Sequence, residues 1–472
     1  MKGSLINKFI KFSYGNWVGL VLGLITTMIV TRILPPNAFG KVSMYDLILQ
    51  IGLIITIFGT DQSFIRFFYE EHSENRGALL YNCLRLPLIT TAIMVAVIIL
   101  LNEPISRFVI GEANFKFSVI LVIGIVFQLV FRFGQLVIRM QQKASLYSML
   151  QIYNSLFNLI FVIILYYLLG SDFKVMIYAK VITMILLTFI AIYFGRNIWK
   201  ISNRVVKNVK HSQLEIIKYG SPFVLTIFIT WLFQSFDKIA LRQWSDFEEL
   251  GLYAAAMRLV ALVMVLRTSF STFWTPVAYE KFEKNPGDKS FFSNITLVVS
   301  FVMFFIAILS IATKDVIVLL LGPEFKEASD IMPFLVFMPI LYTISETTVV
   351  GINFYKKTFW HILIASVACI FNIIGNMLLV PKFGALGASL STAFSFIVFF
   401  TLRTQISQMY YKVRYPLKRI YLMVLIVSIY GLLSIIINNS WWMNIIISML
   451  TIGFLILMFY KELYSNFLKK KL

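Results

Sequence analysis

Stretches of about 20 mainly apolar residues, the length that crosses a bilayer as a helix, recur along the whole of this chain. Fourteen are readable, at 14–34, 42–65, 83–101, 116–138, 146–169, 174–196, 219–241, 252–277, 291–312, 329–353, 360–380, 387–407, 418–437 and 441–460. Lipid offers no partner for backbone N–H and C=O groups, so segments of this kind span as helices. The expected fold is therefore all-α and integral to the membrane, with about 14 transmembrane helices. Composition excludes the soluble alternative: 14% of the 472 residues are charged, against about a quarter in soluble proteins. Disorder is excluded by 45 Phe, 22 Tyr and 8 Trp, which water would not keep dispersed.

Basic residues give the orientation. With a cytoplasmic N-terminus, 28 Lys and Arg fall in segments on the inner side and 9 on the outer side. Both termini are thus expected in the cytoplasm, in a multi-pass protein of the cell membrane. Trp199, Trp244, Trp360, Trp441 and Trp442 fall at span ends, where indole rings favour the interface. The first stretch, Tyr14–Leu34, is too long for a signal-peptide core and has no small-residue cleavage site, so it reads as a retained span.

The net charge of +20 is spread between apolar runs and forms no nucleic-acid footprint. Cys83 and Cys369 sit inside apolar segments, and His72, His211 and His361 are scattered, so no disulfide framework or metal-ligand spacing is present. No Walker-type loop and no H-E-x-x-H occurs. No cofactor or metal is expected, and no catalytic residue. The longest loops, about 313–328 outside and 197–218 inside, are too short for a catalytic domain.

Two hairpins look alike. Thr31–Ser43 joins spans one and two; Leu241–Ala254 joins spans seven and eight. Each has an Arg, a short polar turn and then a Gly (Gly40, Gly251) opening the next helix. A six-span repeat places both copies the same way up, related by an axis along the membrane normal. The expected domains are 1–200 (spans one to six), 201–412 (spans seven to twelve, after a basic cytoplasmic linker) and 413–472 (spans thirteen and fourteen and a basic tail).

Arg32-Ile-Leu-Pro-Pro-Asn-Ala-Phe-Gly40, Gly59-Thr-Asp-Gln-Ser-Phe-Ile-Arg66, Lys218-Tyr-Gly-Ser-Pro222, Ser235-Phe-Asp-Lys238, Gly251-Leu-Tyr-Ala-Ala-Ala-Met-Arg258 and Phe273-Trp-Thr-Pro276 follow in order over nearly the whole chain. In these motifs the chain resembles the polysaccharide transporters (O-antigen and capsule flippases) of the multidrug/oligosaccharidyl-lipid/polysaccharide exporter superfamily. The resemblance implies two parallel six-helix lobes around a central cavity that opens to each side in turn, plus two C-terminal helices. It implies an undecaprenyl-diphosphate-linked glycan as substrate, with polysaccharide polymerase and export machinery as partners beside membrane lipids. The two extra C-terminal spans depart from the twelve-span core; related lipid-linked precursor flippases also carry two.

Ionisable residues within spans mark functional positions by default. Here they are Arg132, Lys180, Lys238, Arg258 and Arg267 against Asp46, Asp237 and Glu346. The basic excess points to an anionic substrate. Arg258, Arg132, Lys180 and Arg267 are the candidate substrate contacts, and Asp46 and Glu346 the candidate gating or ion-coupling groups. Arg132 and Glu346 lie at matching depths in corresponding spans and are expected to pair across the lobes. Arg258 is expected either to bind phosphate or to pair with Asp46. Lys238 can snorkel to the outer surface, Asp237 suits a cap or cross-helix bond, and Asp61 with Arg66 a local structural role. The leading reading is a flippase carrying a lipid-linked anionic oligosaccharide from the cytoplasmic to the outer leaflet, with no enzymatic activity. The alternative is a drug or organic-cation antiporter of the same superfamily; a membrane glycan polymerase ranks third.

Overall fold

The computed structural model describes residues 2–200, 209–437 and 441–468, with side chains from position 14 onward except those of 16, 441 and 461–468. The middle of the expected linker (201–208), Asn439 and the basic tail at 469–472 lie outside the described residues. Among those described there is no strand. The chain packs as two compact units, Met1–Trp231 and Leu232–Leu472.

Unit one contains α1 (Lys2–Ile33), α2 (Pro36–Ile57), α3 (Thr60–Phe67), α4 (Arg76–Leu100), α5 (Asn102–Ile110), α6 (Phe115–Met140), α7 (Ala144–Leu169), α8 (Lys174–Trp199) and the first part of α9 (Gln213–Trp244). Helices in lipid associate through close backbone approach rather than hydrophobic exclusion. α1 lies along α7 on those terms: a Cβ on Gly15 would sit 2.6 Å from Ser148 Cα. Ser155 Oγ of α7 also donates to the Gly19 carbonyl at 3.1 Å.

The expected span 42–65 is two helices. Phe58 (φ 49°) and Gly59 (φ 73°) take left-handed backbone, which ends α2 and redirects the chain into α3. The corner is held against α9, where Ser63 Oγ donates to the Ile216 carbonyl at 2.7 Å. Around it Phe64, Phe68, Leu129, Phe133 and Ile216 form a buried cluster.

Unit two contains the rest of α9, then α10 (Phe247–Lys284), α11 (Lys289–Ala312), α12 (Lys314–Val318), α13 (Ala328–Leu335), α14 (Phe337–Thr348), α15 (Val350–Phe354), α16 (Phe359–Tyr410), α17 (Leu417–Ile436) and α18 (Trp441–Leu468). Asp246 caps α10 by accepting from the Glu249 N–H at 2.9 Å, and Asp288 caps α11 through the Phe291 N–H at 3.3 Å. The expected span 329–353 breaks into α13, α14 and α15. Pro333 and Pro339, each lacking a backbone donor, fall in α13 and in the first turn of α14. α17 and α18 pack against α11, and α17 also against α13.

Spans eleven and twelve, covered together by α16, are two helices that fold back on each other at a kink at Gly384: Ser391 Oγ donates to the Asn372 carbonyl at 2.8 Å, and a Cβ on Gly387 would sit 2.4 Å from the Leu379 carbonyl oxygen. Gly384 alone departs from helical backbone (φ 51°, ψ −130°), a region that residues with a Cβ avoid. The break frees the Ala385 N–H, and Glu249 of α10 takes it at 2.7 Å. A carboxylate thus supplies what the interrupted helix cannot.

Twelve described helices are long and apolar enough to cross a membrane. One of these, α16, is two membrane-length arms, and α1 adds an apolar Trp17–Ile33 segment, so the expected count of about 14 holds. Gly40 and Gly251 are each the fifth residue of their helix, counted from Pro36 and Phe247, and both are buried. The two similar hairpins therefore place their glycines at one structural position.

Candidate functional site

In unit one the membrane-embedded charges form two pairs. Asp46 of α2 meets Lys180 of α8, with Lys180 Nζ 2.6 Å from both carboxylate oxygens. Asp61, buried in the first turn of α3, lies 2.8 Å from Arg132 Nη2 of α6. Gln62 Nε2 donates to the same Asp61 oxygen at 3.1 Å. The left-handed corner at Gly59 is what brings Asp61 to α6. Two charges this close in lipid offset most of the about 2.5–3.5 kcal/mol that each would cost at mid-bilayer.

Unit two has a different arrangement. Arg403 of α16 is buried and sits 2.8 Å from Glu346 of α14. It also donates to Ser345 Oγ at 2.6 Å. Ser271 Oγ donates to the other Glu346 oxygen at 3.1 Å, and Trp274 Nε1 to the Glu346 carbonyl at 3.0 Å. The Tyr342 ring serves two guanidinium groups, with Arg267 3.3 Å and Arg403 5.1 Å from its centre. Such cation–π contacts are stronger where water is excluded.

Asp237 of α9 is held otherwise. Its carboxylate accepts four hydrogen bonds from neutral donors: Asn372 Nδ2 (3.0 Å), Asn376 Nδ2 (2.7 Å), Thr392 Oγ1 (2.7 Å) and Tyr253 Oη (2.6 Å). All five residues are fully or almost fully buried. Asn376 Oδ1 has no hydrogen-bond donor among the described residues. A fully buried carboxylate held by neutral N–H and O–H donors rather than by a cation is a group that a proton can neutralise.

Of the expected contacts, Arg258 is exposed and Arg267 half-buried on Tyr342. Neither has a carboxylate partner among the described residues. Lys238 is half-buried. Two pairings differ from expectation. Arg132 pairs with Asp61 and Glu346 with Arg403, so neither charge needs the other. Asp46 is occupied by Lys180 rather than waiting for Arg258. Arg66 pairs with Glu70 one helical turn on, leaving Asp61 to Arg132. Asp237 makes the cross-helix bonds expected of it.

Arg403 was missed because it lies in the last turns of a span and counts naturally as an inner-loop cation. The Asp237 cradle did leave a sign: Asn372 and Asn376 stand four apart, hence on one helix face, in an otherwise apolar run.

The fold is that of an all-helical, multi-pass membrane protein with charged side chains inside its spans. The family model described as "Polysaccharide biosynthesis protein" matches residues 5–282, and the chain belongs to that family. No curated protein matches the chain in sequence. Among solved structures, the lipid II flippase MurJ in an inward closed conformation superposes with a TM-score of 0.71 at 16% identity, over 96% of this chain and 100% of that one. An inward-facing multidrug resistance MATE family transporter of the MOP superfamily gives 0.60 at 14% identity, over 88% of this chain and 98% of that one. These likenesses concern the fold. By their names these two neighbours are a flippase and a transporter, and the expected polysaccharide family is borne out by the family model.

Proposed function

We propose that the chain is a flippase that carries a polyprenyl-diphosphate-linked oligosaccharide from the cytoplasmic to the outer leaflet by alternating access, for cell-surface polysaccharide synthesis. One observation carries the reading. The expected intramembrane carboxylates are paired with cations or saturated by neutral donors, whereas Arg258 and Arg267 retain guanidinium groups without a carboxylate. A diphosphate meets that need through bidentate, charge-assisted hydrogen bonds. The polyprenyl tail stays in lipid while the head group moves.

With no nucleotide-binding motif in the sequence, the energy source is an ion gradient, the membrane potential or consumption of the glycan. The geometry favours Asp237 over Asp46 and Glu346 as the coupling group, since the latter two are already neutralised by Lys180 and Arg403. The 28-to-9 distribution of basic residues supports cytoplasmic termini. Labelling from outside should reach a cysteine at position 246 and not one at 207; labelling at 207 in sealed cells would reverse the orientation. Polysaccharide polymerase and export machinery are the partners this reading implies.

The antiporter reading keeps one supporting observation, the Asp237 carboxylate, which could attract an organic cation. Its complete burial behind four donors argues against that use. Lipid analysis of a strain lacking the chain separates the two readings. A lipid-linked glycan should accumulate in the cytoplasmic leaflet; unchanged lipid intermediates with lost drug efflux would favour the antiporter.

A further inference from the structure

We propose that unit one carries a second anion site, a phosphate-binding cavity between the first turns of α6 and α8, distinct from the charged pairs above. The cavity holds about 290 Å³ and is lined by residues including Asn114, Lys116, Phe117, Phe173, Lys174 and Tyr178. A third ammonium is close by, since Lys41 Nζ of α2 lies 5.0 Å from the centre of the Phe173 ring. Against these three cations stands Asp172, whose carboxylate meets Lys174 Nζ at 3.1 Å and the Lys174 N–H at 2.8 Å. Glu112 is engaged by Asn114 Nδ2 at 3.3 Å.

The donor set selects the ligand. Lys116 and the Tyr178 hydroxyl make no hydrogen bond or ion pair among the described residues, so an ammonium and a phenol are available to donate. The Asn114 carbonyl oxygen is spent on the Phe117 N–H at 3.2 Å. Both charged side chains in the lining are ammoniums, Lys116 and Lys174, which suits a phosphate oxyanion and disfavours a cation. Phe117 and Phe173 are buried, and an apolar wall strengthens a charge-assisted bond. Asn114 and Asp172 already cap the two helix starts, so the site rests on the side chains and not on helix ends.

Lys116 and Lys174 begin their spans, so the cavity opens at head-group level. Lys180 is six residues further along α8, about 9 Å at 1.5 Å per residue. The ligand is a phosphate presented there, either on a lipid head group or free in solution. The inference concerns binding alone and does not depend on what is transported.

The test is native mass spectrometry of the purified full chain, with phosphatidylglycerol and with inorganic diphosphate as separate probes. Lys116→Gln removes an exposed, unpartnered ammonium and spares the fold. It should weaken binding about tenfold, the value of one hydrogen bond to a charged group. Lys116→Gln combined with Lys174→Gln should weaken it further, and Lys382→Gln, at an exposed lysine outside the cavity lining, should leave it unchanged. Lys116-dependent binding of phosphatidylglycerol that diphosphate does not displace identifies a lipid head group as the ligand. Lys116-dependent binding of diphosphate, alone or in competition, identifies free phosphate chemistry. Equal affinity of wild type, Lys116→Gln and the double variant for both probes overturns the site, as does an equal loss in Lys382→Gln.

Discussion

Lys180 Nζ lies 2.6 Å from each oxygen of the Asp46 carboxylate, tying the middle of α2 to the first turns of α8. The pair retains some solvent access, with 18% of the Lys180 side chain and 23% of the Asp46 side chain exposed. It is therefore a closed contact that water or a competing anion can reach. Lys180→Met, which strands the carboxylate, should destabilise by about 1–3 kcal/mol, below the 3–5 of a fully buried pair. Asp46→Asn in the same chain should restore most of that. Thermal unfolding in detergent reads the effect; additive losses in the double variant would deny the coupling.

Arg132 has its energetic partner in Asp61, and Glu346 has its own in Arg403. A double-mutant cycle on Arg132 and Asp61 should give a coupling of about 0.5–3 kcal/mol, whereas Arg132 and Glu346 should add within about 0.5 kcal/mol. Chemical unfolding of the purified variants measures both cycles. Strong coupling of Arg132 to Glu346 alone would reinstate the pairing expected from sequence.

Gly384→Ala tests the interruption of α16. The backbone there favours glycine, and an added Cβ would lie 2.6 Å from Glu249 Oε2. The strain should cost about 1–3 kcal/mol, visible as a lowered unfolding midpoint. A midpoint equal to wild type would show that the turn at Gly384 accepts a Cβ at no cost.

Asp288 gives a pH dependence outside the membrane. The hydrogen bond from Lys281, with a second from Ser290, holds its carboxyl down at about 2. A carboxyl depressed in the folded state adds stability above its unfolded value of about 3.9. That contribution fades as pH falls through about 2. The midpoint of wild type should thus fall across this window more than that of Asp288→Asn. Equal slopes would show that the Lys281–Asp288 contact contributes nothing.

The helical, membrane-spanning character was legible because bilayer thickness and backbone satisfaction leave few options for runs such as 291–312. The break between spans eleven and twelve was legible, since Gly384 lies between the expected ends at 380 and 387. The corner at Phe58–Gly59 was not, because it depends on a tertiary partner, Ile216, that is distant in sequence. Charge identity was readable and charge pairing was not, since one extra residue turns a helical side chain by about 100°. The pairing of Arg132 with Glu346 rested on span depth alone, and Asp61 and Arg403 are the partners they have. Of the two roles read for Asp237, a cap or a cross-helix bond, the structure has the second, and its neighbour Lys238 cannot share its helix face.

The central claim is that an anionic lipid-linked head group is recognised by the guanidinium groups left without carboxylates. Translocation of a fluorescent polyprenyl-diphosphate sugar in proteoliposomes of the purified chain, beside a fluorescent organic cation, tests it most directly. Wild type should move the diphosphate and not the cation. Arg258→Ala should abolish that movement, and Arg258→Lys, which keeps charge but loses the bidentate fork, should slow it. Full-rate transport of the diphosphate by both Arg258→Ala and Arg267→Ala, or flux of the cation in place of the lipid, would contradict the account.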